Sequence, residues 1–271
     1  MQPRFVDLHT HTTASDGTDA PRDLIRRAAS LKLAAVAVTD HDTVSGLDEA
    51  EAAGREYGVE IIRGCELGVQ GQYGEIHLLG LWLPRHSAPL DAELSRLRGH
   101  REELDEAGGE SVGRPHIARV LQKRGIVSNF AQAFELYLGY YGAAYVPRTL
   151  LTPEEGVSLM ADLGAVVSFA HPMLIRCPPS WFDEIIPRLK EAGLGAIEAY
   201  HSEHSARDER FCVELAARYG LGLSGGSDYH GMAKPGVELG RGKGGLRVTV
   251  ALLDALKARR KRPVDDAPEV L

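Results

Sequence analysis

Cysteine is scarce in this sequence. The three residues, Cys65, Cys177 and Cys212, are odd in number and far apart. That pattern argues against a disulfide framework and fits a reducing cytoplasm, the expected location. No Cys-x-x-Cys occurs, which argues against a thiolate zinc site. Cys65 reads as a buried core thiol. Positive charge is in deficit too: lysine plus arginine number 31 against 38 aspartate plus glutamate, a net charge of −7. A global basic field for a long nucleic-acid track is therefore missing, while a local basic pocket remains open. Apolar runs long enough to cross a bilayer are missing as well. The N-terminal residues enter a strand almost at once, so no secretory leader is expected. Neither a Gly-x-Gly-x-x-Gly nor a P-loop occurs, which lowers the case for a nucleotide-cofactor sheet. What remains is 271 residues, 44% hydrophobic and 25% charged, enough for one large α/β domain or two small ones.

The stretch Phe5-Val-Asp-Leu-His-Thr-His11 organises the chain. Side chains at i and i+2 of a strand share a face, so His9 and His11 present two imidazoles to one point. Apolar runs end on histidine or acidic residues again at Asp40-His41, Glu66, His77, His171 and Asp228-Tyr-His230. Asp16, before Gly17, reads equally as a turn former and as a metal ligand.

Between these points the spacing predicts helices. Pro21 opens one through Lys32; a second runs from Val44 to Tyr57 and stops at Gly58. Ala34–Val38 reads as a strand buried on both faces. Glu60–Glu66 and Glu75–Trp82 read as antiparallel neighbours around a turn, a pairing able to bring Glu66 and His77 close; the alternatives are a rim charge for Glu66 and a core histidine for His77. Thr152-Pro-Glu-Glu155 predicts a capped helix start. Strands ending at His171 and His201, helices 181–192 and 206–219, and a strand and helix from Leu246 onward complete the pattern. This strand–helix rhythm suggests a (β/α) barrel or an open doubly wound sheet. The polar groups gather at C-terminal strand ends, the face where barrel enzymes place active sites.

From 91 to 142 the rhythm stops, and the segment reads as a helical insertion between barrel segments 1–90 and 143–271. Most of its charges read as a solvated face. Arg114-Pro-His-Ile-Ala-Arg119 is the part that could do more: a proline-initiated helix with two arginines is a candidate anion site, beside the plainer reading as solvated charge.

Ten groups stand at the strand ends: His9, His11, Asp16, Asp40, His41, Glu66, His77, His171, Asp228 and His230. Imidazole plus carboxylate without thiolate suits Mn²⁺, Zn²⁺ or Fe²⁺. Ten groups exceed the needs of one ion, so two or three are expected, with Glu66 able to bridge. Clustered ions point to hydrolysis, most naturally of a phosphate ester.

Asp7-Leu-His-Thr-His11, Thr39-Asp-His41, Gly64-Cys-Glu66, Glu75-Ile-His77, Ala170-His-Pro172 and Gly226-Ser-Asp-Tyr-His230 together resemble the motifs of the polymerase and histidinol phosphatase (PHP) superfamily, in order and spacing, over nearly the whole chain. The resemblance implies a distorted (β/α)₇ barrel with a trinuclear metal site, manganese foremost. It implies one ion on His9, His11, Glu66 and Asp228, a second on Glu66, His77 and His171, and a third on Asp16, His41 and His230. Asp40 would orient His41 or a metal-bound water. Arg114–Arg119, Tyr145-Val-Pro147 and Glu238-Leu-Gly240 resemble the group containing 3′,5′-nucleoside bisphosphate phosphatases and 5′-to-3′ exoribonucleases. The implied reaction is attack of a metal-bridging hydroxide on the 3′-phosphate or phosphodiester. Arg114, His116, Arg119 and Arg148 would hold the 5′-phosphate. His201 and His204 read equally as surface histidines and as groups that reach substrate or protonate the leaving oxygen.

The chain departs from that group in a short Gly-rich link at 104–113 and in the strand end Tyr200-His-Ser-Glu-His204. Expected partners are a phosphorylated small molecule or nucleotide and short RNA ends, with no membrane and no obligate protein. One rival reading is a phosphatase of a small monoester such as histidinol phosphate. Another is a non-catalytic metal-binding regulatory domain, against which every matched ligand position being filled speaks.

Overall fold

The computed structural model describes residues 4–105, 114–139, 142–144 and 150–260, with backbone alone at 98–105, 114–116, 119, 130 and 131. Two compact units divide the chain, one of 1–90 with 151–271 and one of 91–150.

The larger unit is a seven-stranded sheet in sequential order: β1 (Val6–Asp7), β2 (Ala35–Val38), β3 (Glu60–Gly71), β4 (Gly74–Leu81), β5 (Val166–Phe169), β6 (Leu194–His201) and β7 (Gly222–Gly226). The first three pair parallel, β4 is antiparallel to both neighbours, and β5 to β7 are parallel again. Residues just past β1 join the far edge. Leu8 N donates to Gly225 O, Asp228 N to His9 O and His11 N to Tyr229 O. These contacts nearly close the sheet into a distorted (β/α)₇ barrel.

β2 shows why its sequence is so apolar. Ala35 and Ala37 pack with Val6, Leu8, Ile62, Val166 and Ala196 on one face. Val36 and Val38 pack on the other against Leu24, Ile25 and Ala28 of α1 (Pro21–Ser30) and Leu47, Ala50 and Ala53 of α2 (Leu47–Tyr57). Both faces are buried, so no polar alternation survives. α2 begins at Leu47 rather than Val44, and Gly58 ends it at φ 72°.

α3 (Ala88–Asp105) runs past the boundary between the units. The smaller unit holds α4 (Arg114–Lys123), α5 (Phe130–Ala133) and a π-turn at Phe134–Leu138. Its own core is Ala118, Val127, Ala133 and Leu138, with Leu121, Phe134 and Tyr137 against it.

Back in the larger unit, Thr152 caps α6 (Pro153–Asp162) with the reciprocal Glu155 bond. α7 (Ser180–Ala192) and α8 (Ala206–Tyr219) cover the outside, α8 capped by Ser205 and Asp208. The strand expected from Leu246 does not form. That stretch makes a single antiparallel bridge, Phe5 with Thr249, plus a bond from Val6 N to Val248 O. β1 itself is two residues long, so the pairing on this side stays at that bridge and its flanking bonds. The helix expected after it, Val250–Lys257, is present. Among the described residues no helix is long and apolar enough to cross a membrane.

Candidate metal centre

Strand geometry delivers the polar side chains to one point. His9 and His11 follow β1, and both are fully buried. His41 follows β2 and forms a parallel bridge with Glu66 in β3. In the β3–β4 ladder His77 lies opposite Gly68, one diagonal from Glu66. A Cβ at Gly68 would instead meet the Glu75 carboxylate, 2.5 Å away. His171 follows β5, and Asp228 and His230 follow β7. His171 and Asp228 adopt positive φ, 25° and 54°, as does the buried Asp42 at 51°. Such backbone strain in non-glycine residues gathers at functional sites.

Glu66 is the hub. Its Oε2 lies 3.1 Å from His9 Nε2, 3.0 Å from His11 Nε2 and 3.3 Å from His41 Nδ1. Its Oε1 lies 2.8 Å from His77 Nδ1 and 2.9 Å from His171 Nε2. One carboxylate thus faces two groups of imidazoles, one per oxygen. Asp228 Oδ1 lies 3.6 Å from His9 Nε2 and 3.4 Å from His11 Nε2. On the far side of His11, Asp16 Oδ1 is 3.7 Å from its Nδ1 and 3.2 Å from His230 Nε2. Asp16 Oδ2 is 4.0 Å from His41 Nε2.

Four sets of donor atoms converge within 4.8 Å, three of them built from the expected ligands: His9, His11, Glu66 and Asp228; His11, Asp16, His41 and His230; His41, Glu66 and His77; the fourth joins His9 to Glu198 and His201. His171 reaches the set of His41, Glu66 and His77 through Glu66 Oε1. His11 provides the test of fit. Both its ring nitrogens are buried and neither makes a hydrogen bond, despite carboxylate oxygens at close range. Lone pairs that converge without bonding each other suit divalent cations held between them.

Electrostatics divides the rings. Burial opposes charge on every one. At His11 the carboxylates of Asp228, Glu66 and Asp16 outweigh burial and push the ring up to about 9. At His77 burial is outweighed by Glu66 and Glu75, giving about 10. At His41 burial prevails over Glu66 and Asp16, and the value falls to about 3. His171 falls to about 4, burial again prevailing over Glu66. Burial also opposes ionisation of Glu66 and Asp228. His41, His9 and His77 nevertheless hold Glu66 well below the usual carboxylate range, and Lys234, His230 and His9 do so for Asp228.

The remaining expected residues take definite places. Asp40 accepts from Thr12 N at 2.7 Å, Thr12 Oγ1 at 2.8 Å and Ser15 Oγ at 2.6 Å. It therefore fixes the loop that carries Asp16. His201 is buried; its Nδ1 accepts from Glu203 N at 3.1 Å, so Nε2 carries the proton and faces Asp228 Oδ2 at 3.3 Å. This ring aims Asp228. His204 Nδ1 donates to Ala199 O at 3.0 Å, leaving Nε2 buried and bare. Burial lowers its pKa and so favours the neutral ring. The side chains of Arg114, His116 and Arg119, and all of Arg148, lie outside the described residues. Cys65 is a core thiol, as expected: fully buried, pushed up by burial and by Asp42.

Two groups were missed. Lys234 Nζ stands 2.6 Å from Asp228 Oδ2, and no strand pattern marks it. Glu198 is fully buried in β6 and meets His9 Nδ1 at 3.0 Å. Glu198 and His201, three apart, belong on opposite faces of a regular strand. The β6–β7 ladder passes from Glu198–Ser224 to Tyr200–Gly225, so Ala199 is an extra residue. That bulge turns both side chains inward. A charged residue inside an apolar strand was the available signal.

Comparison with known proteins agrees with this geometry. The PHP domain family matches residues 7–143. The chain is similar to a 5′-3′ exoribonuclease of Haemophilus influenzae, 31% identical over 83% of this chain and 89% of that one. It is similar to a 3′,5′-nucleoside bisphosphate phosphatase of Chromobacterium violaceum, 30% identical over 96% and 99%. A solved structure of a proposed metal-dependent phosphoesterase from Bifidobacterium adolescentis superposes with a TM-score of 0.79 at 28% identity, covering 96% of this chain and 99% of that one.

Proposed function

The chain belongs to the PHP domain family, and from that membership we propose that it is a metal-dependent phosphoesterase acting on the 3′-phosphate of 3′,5′-nucleoside bisphosphates and on short 5′-phosphorylated oligoribonucleotides. The observation that carries the reading is Glu66 facing five histidines, His11 among them with both nitrogens unbonded. Similarity to a nucleoside bisphosphate phosphatase along nearly the full length of both chains supports the substrate class.

His9, His11, Glu66 and Asp228 would hold one ion, Glu66, His77 and His171 a second, and Asp16, His41 and His230 a third, with manganese the first candidate and zinc or iron the others. Divalent ions there supply a water of lowered pKa and positive charge for phosphoryl oxygens. The protein's own part is positioning. Asp40 keeps Asp16 in place through Thr12 and Ser15. His201 aims Asp228. His204 offers a bare Nε2 able to take up a proton. Arg114, His116, Arg119 and Arg148, in the insertion and at its exit, would hold the 5′-phosphate, since a guanidinium meets phosphate with both charge and a two-point fit.

The test is phosphate release by the Mn²⁺-loaded protein from 3′,5′-adenosine bisphosphate, histidinol phosphate and a 5′-phosphorylated RNA trinucleotide. Preference for bisphosphate or RNA, lost on Arg114→Ala or Arg148→Ala, is expected. Preference for histidinol phosphate would overturn the nucleotide reading and leave the phosphoesterase.

A further inference from the structure

Glu198 stands outside the three ion sets built from the expected ligands, forming only the small fourth set with His9 and His201, yet it touches two members of those three. Its Oε1 meets His9 Nδ1 at 3.0 Å. Its Oε2 accepts from the backbone N–H of His171 at 2.7 Å. The His9 and His171 rings stack with centroids 5.6 Å apart. His9 uses its other nitrogen, Nε2, toward Glu66 and Asp228. His171 sits at φ 25°, a conformation that needs an external hold.

We infer that Glu198 is the positioning residue of the metal centre: it fixes His9 as the Nδ1–H tautomer, so that the Nε2 lone pair faces the ions, and it pins the strained backbone that presents His171. The inference rests on the metal-centre reading above. A carboxylate behind a ligating imidazole sets both its tautomer and its orientation. Here one carboxylate serves two histidines from different strands, one by its ring and one by its main chain. Both oxygens are thereby engaged by protein donors. That favours holding the ligands over ligation by Glu198 itself, although His9, Glu198 and His201 also lie close enough to share a cation.

Glutamine separates these roles, because its amide has one accepting oxygen and one donating nitrogen. In Glu198→Gln the oxygen can keep the His171 N–H, and the NH₂ then donates to His9 Nδ1. His9 must move its proton to Nε2, the atom that should face the ion. The alternative amide orientation keeps the His9 bond and sets two donors against each other at His171. Either the Nδ1–H tautomer of His9 or the contact to His171 is therefore lost.

The experiment uses the full chain. Zinc affinity and stoichiometry are measured for wild type and Glu198→Gln, with circular dichroism to verify folding. Long-range ¹H–¹⁵N spectra of the zinc-loaded proteins report the protonated nitrogen of His9. The expected result is a wild-type His9 protonated at Nδ1, and a folded variant binding zinc roughly 10–100-fold more weakly with His9 protonation displaced. Unchanged affinity and an unchanged His9 signal in the variant would overturn the inference, as would a wild-type His9 bound to metal through Nδ1. If the variant fails to fold, the wild-type spectrum alone decides between these outcomes. A wild-type protein that takes up no zinc or manganese would instead overturn the metal-centre reading, and the inference with it.

Discussion

Asp7 accepts hydrogen bonds from both the backbone N–H (2.8 Å) and the hydroxyl (2.5 Å) of Ser227, 220 positions away in sequence. It also accepts from Gly240 N at 2.7 Å. A fully buried carboxyl thus ties the first strand to the segment that carries Asp228 and to the turn beyond it. Removing the hydroxyl leaves that carboxyl short of a donor. Ser227→Ala should lower stability by about 2 kcal/mol, read as a shifted urea midpoint with an unchanged slope.

Glu66 is the sole carboxylate that faces His9, His11, His41, His77 and His171 among the described residues. Glu66→Gln should retain the fold and lose metal content and phosphoesterase activity together, by roughly 100-fold or more, since loss of even an outer partner costs about 10–100-fold. Elemental analysis beside a phosphate-release assay checks this, and full activity in that variant would remove Glu66 from the site.

Asp40 is bonded to the loop that carries Asp16. Asp40→Ala frees Thr12 and Ser15 and loosens the loop bearing Asp16. The expected outcome is loss of the ion on Asp16, His41 and His230, with retention of ions on Glu66. Metal stoichiometry should fall by about one per chain, with activity down roughly 10–100-fold.

Cys212 gives a pH-dependent prediction away from the centre. Burial, then Asp208 and Glu198, lift its thiol from 9 to about 12. A group with its folded pKa raised stabilises the protein below the ordinary value and loses that contribution as the pH passes the raised one. Stability should therefore decline between pH 9 and about 12, and less so in Cys212→Ala. At about pH 8, below the ordinary thiol value, iodoacetamide should leave Cys212 unmodified in the native protein and label it in urea.

How much of this was legible beforehand depended on which regularity each residue obeys. His9 and His11 follow strand alternation, and Glu66 and His77 follow hairpin pairing, so periodicity alone brought them together. Thr152 and Glu155 announce their helix by local chemistry that no tertiary contact overrides. Asp40 was visible as a polar strand end, but its partners Thr12 and Ser15 lie in a loop whose path no periodic rule describes. The strand expected in the tail failed for a plainer reason. The run from Leu246 to Thr249 is apolar enough for a strand, but its neighbour β1 is two residues long. Glu198 and Lys234 were hidden, the first by a bulge and the second by a 3₁₀ turn after His230.

The extra residue at Ala199 makes β6 a matter of parity. Glu198 and His201 are separated by an odd number of steps, so both face inward only while the bulge absorbs one of them. A chain one residue shorter or longer between them has an even separation, and plain alternation then delivers both to the interior without any bulge. A change of two residues restores the odd count and the need for the irregularity. A single-residue gap in an alignment at this point therefore marks a straightened strand that keeps its interior pair, not a lost one. A designer who wants a regular β6 must delete Ala199 rather than flatten it in place.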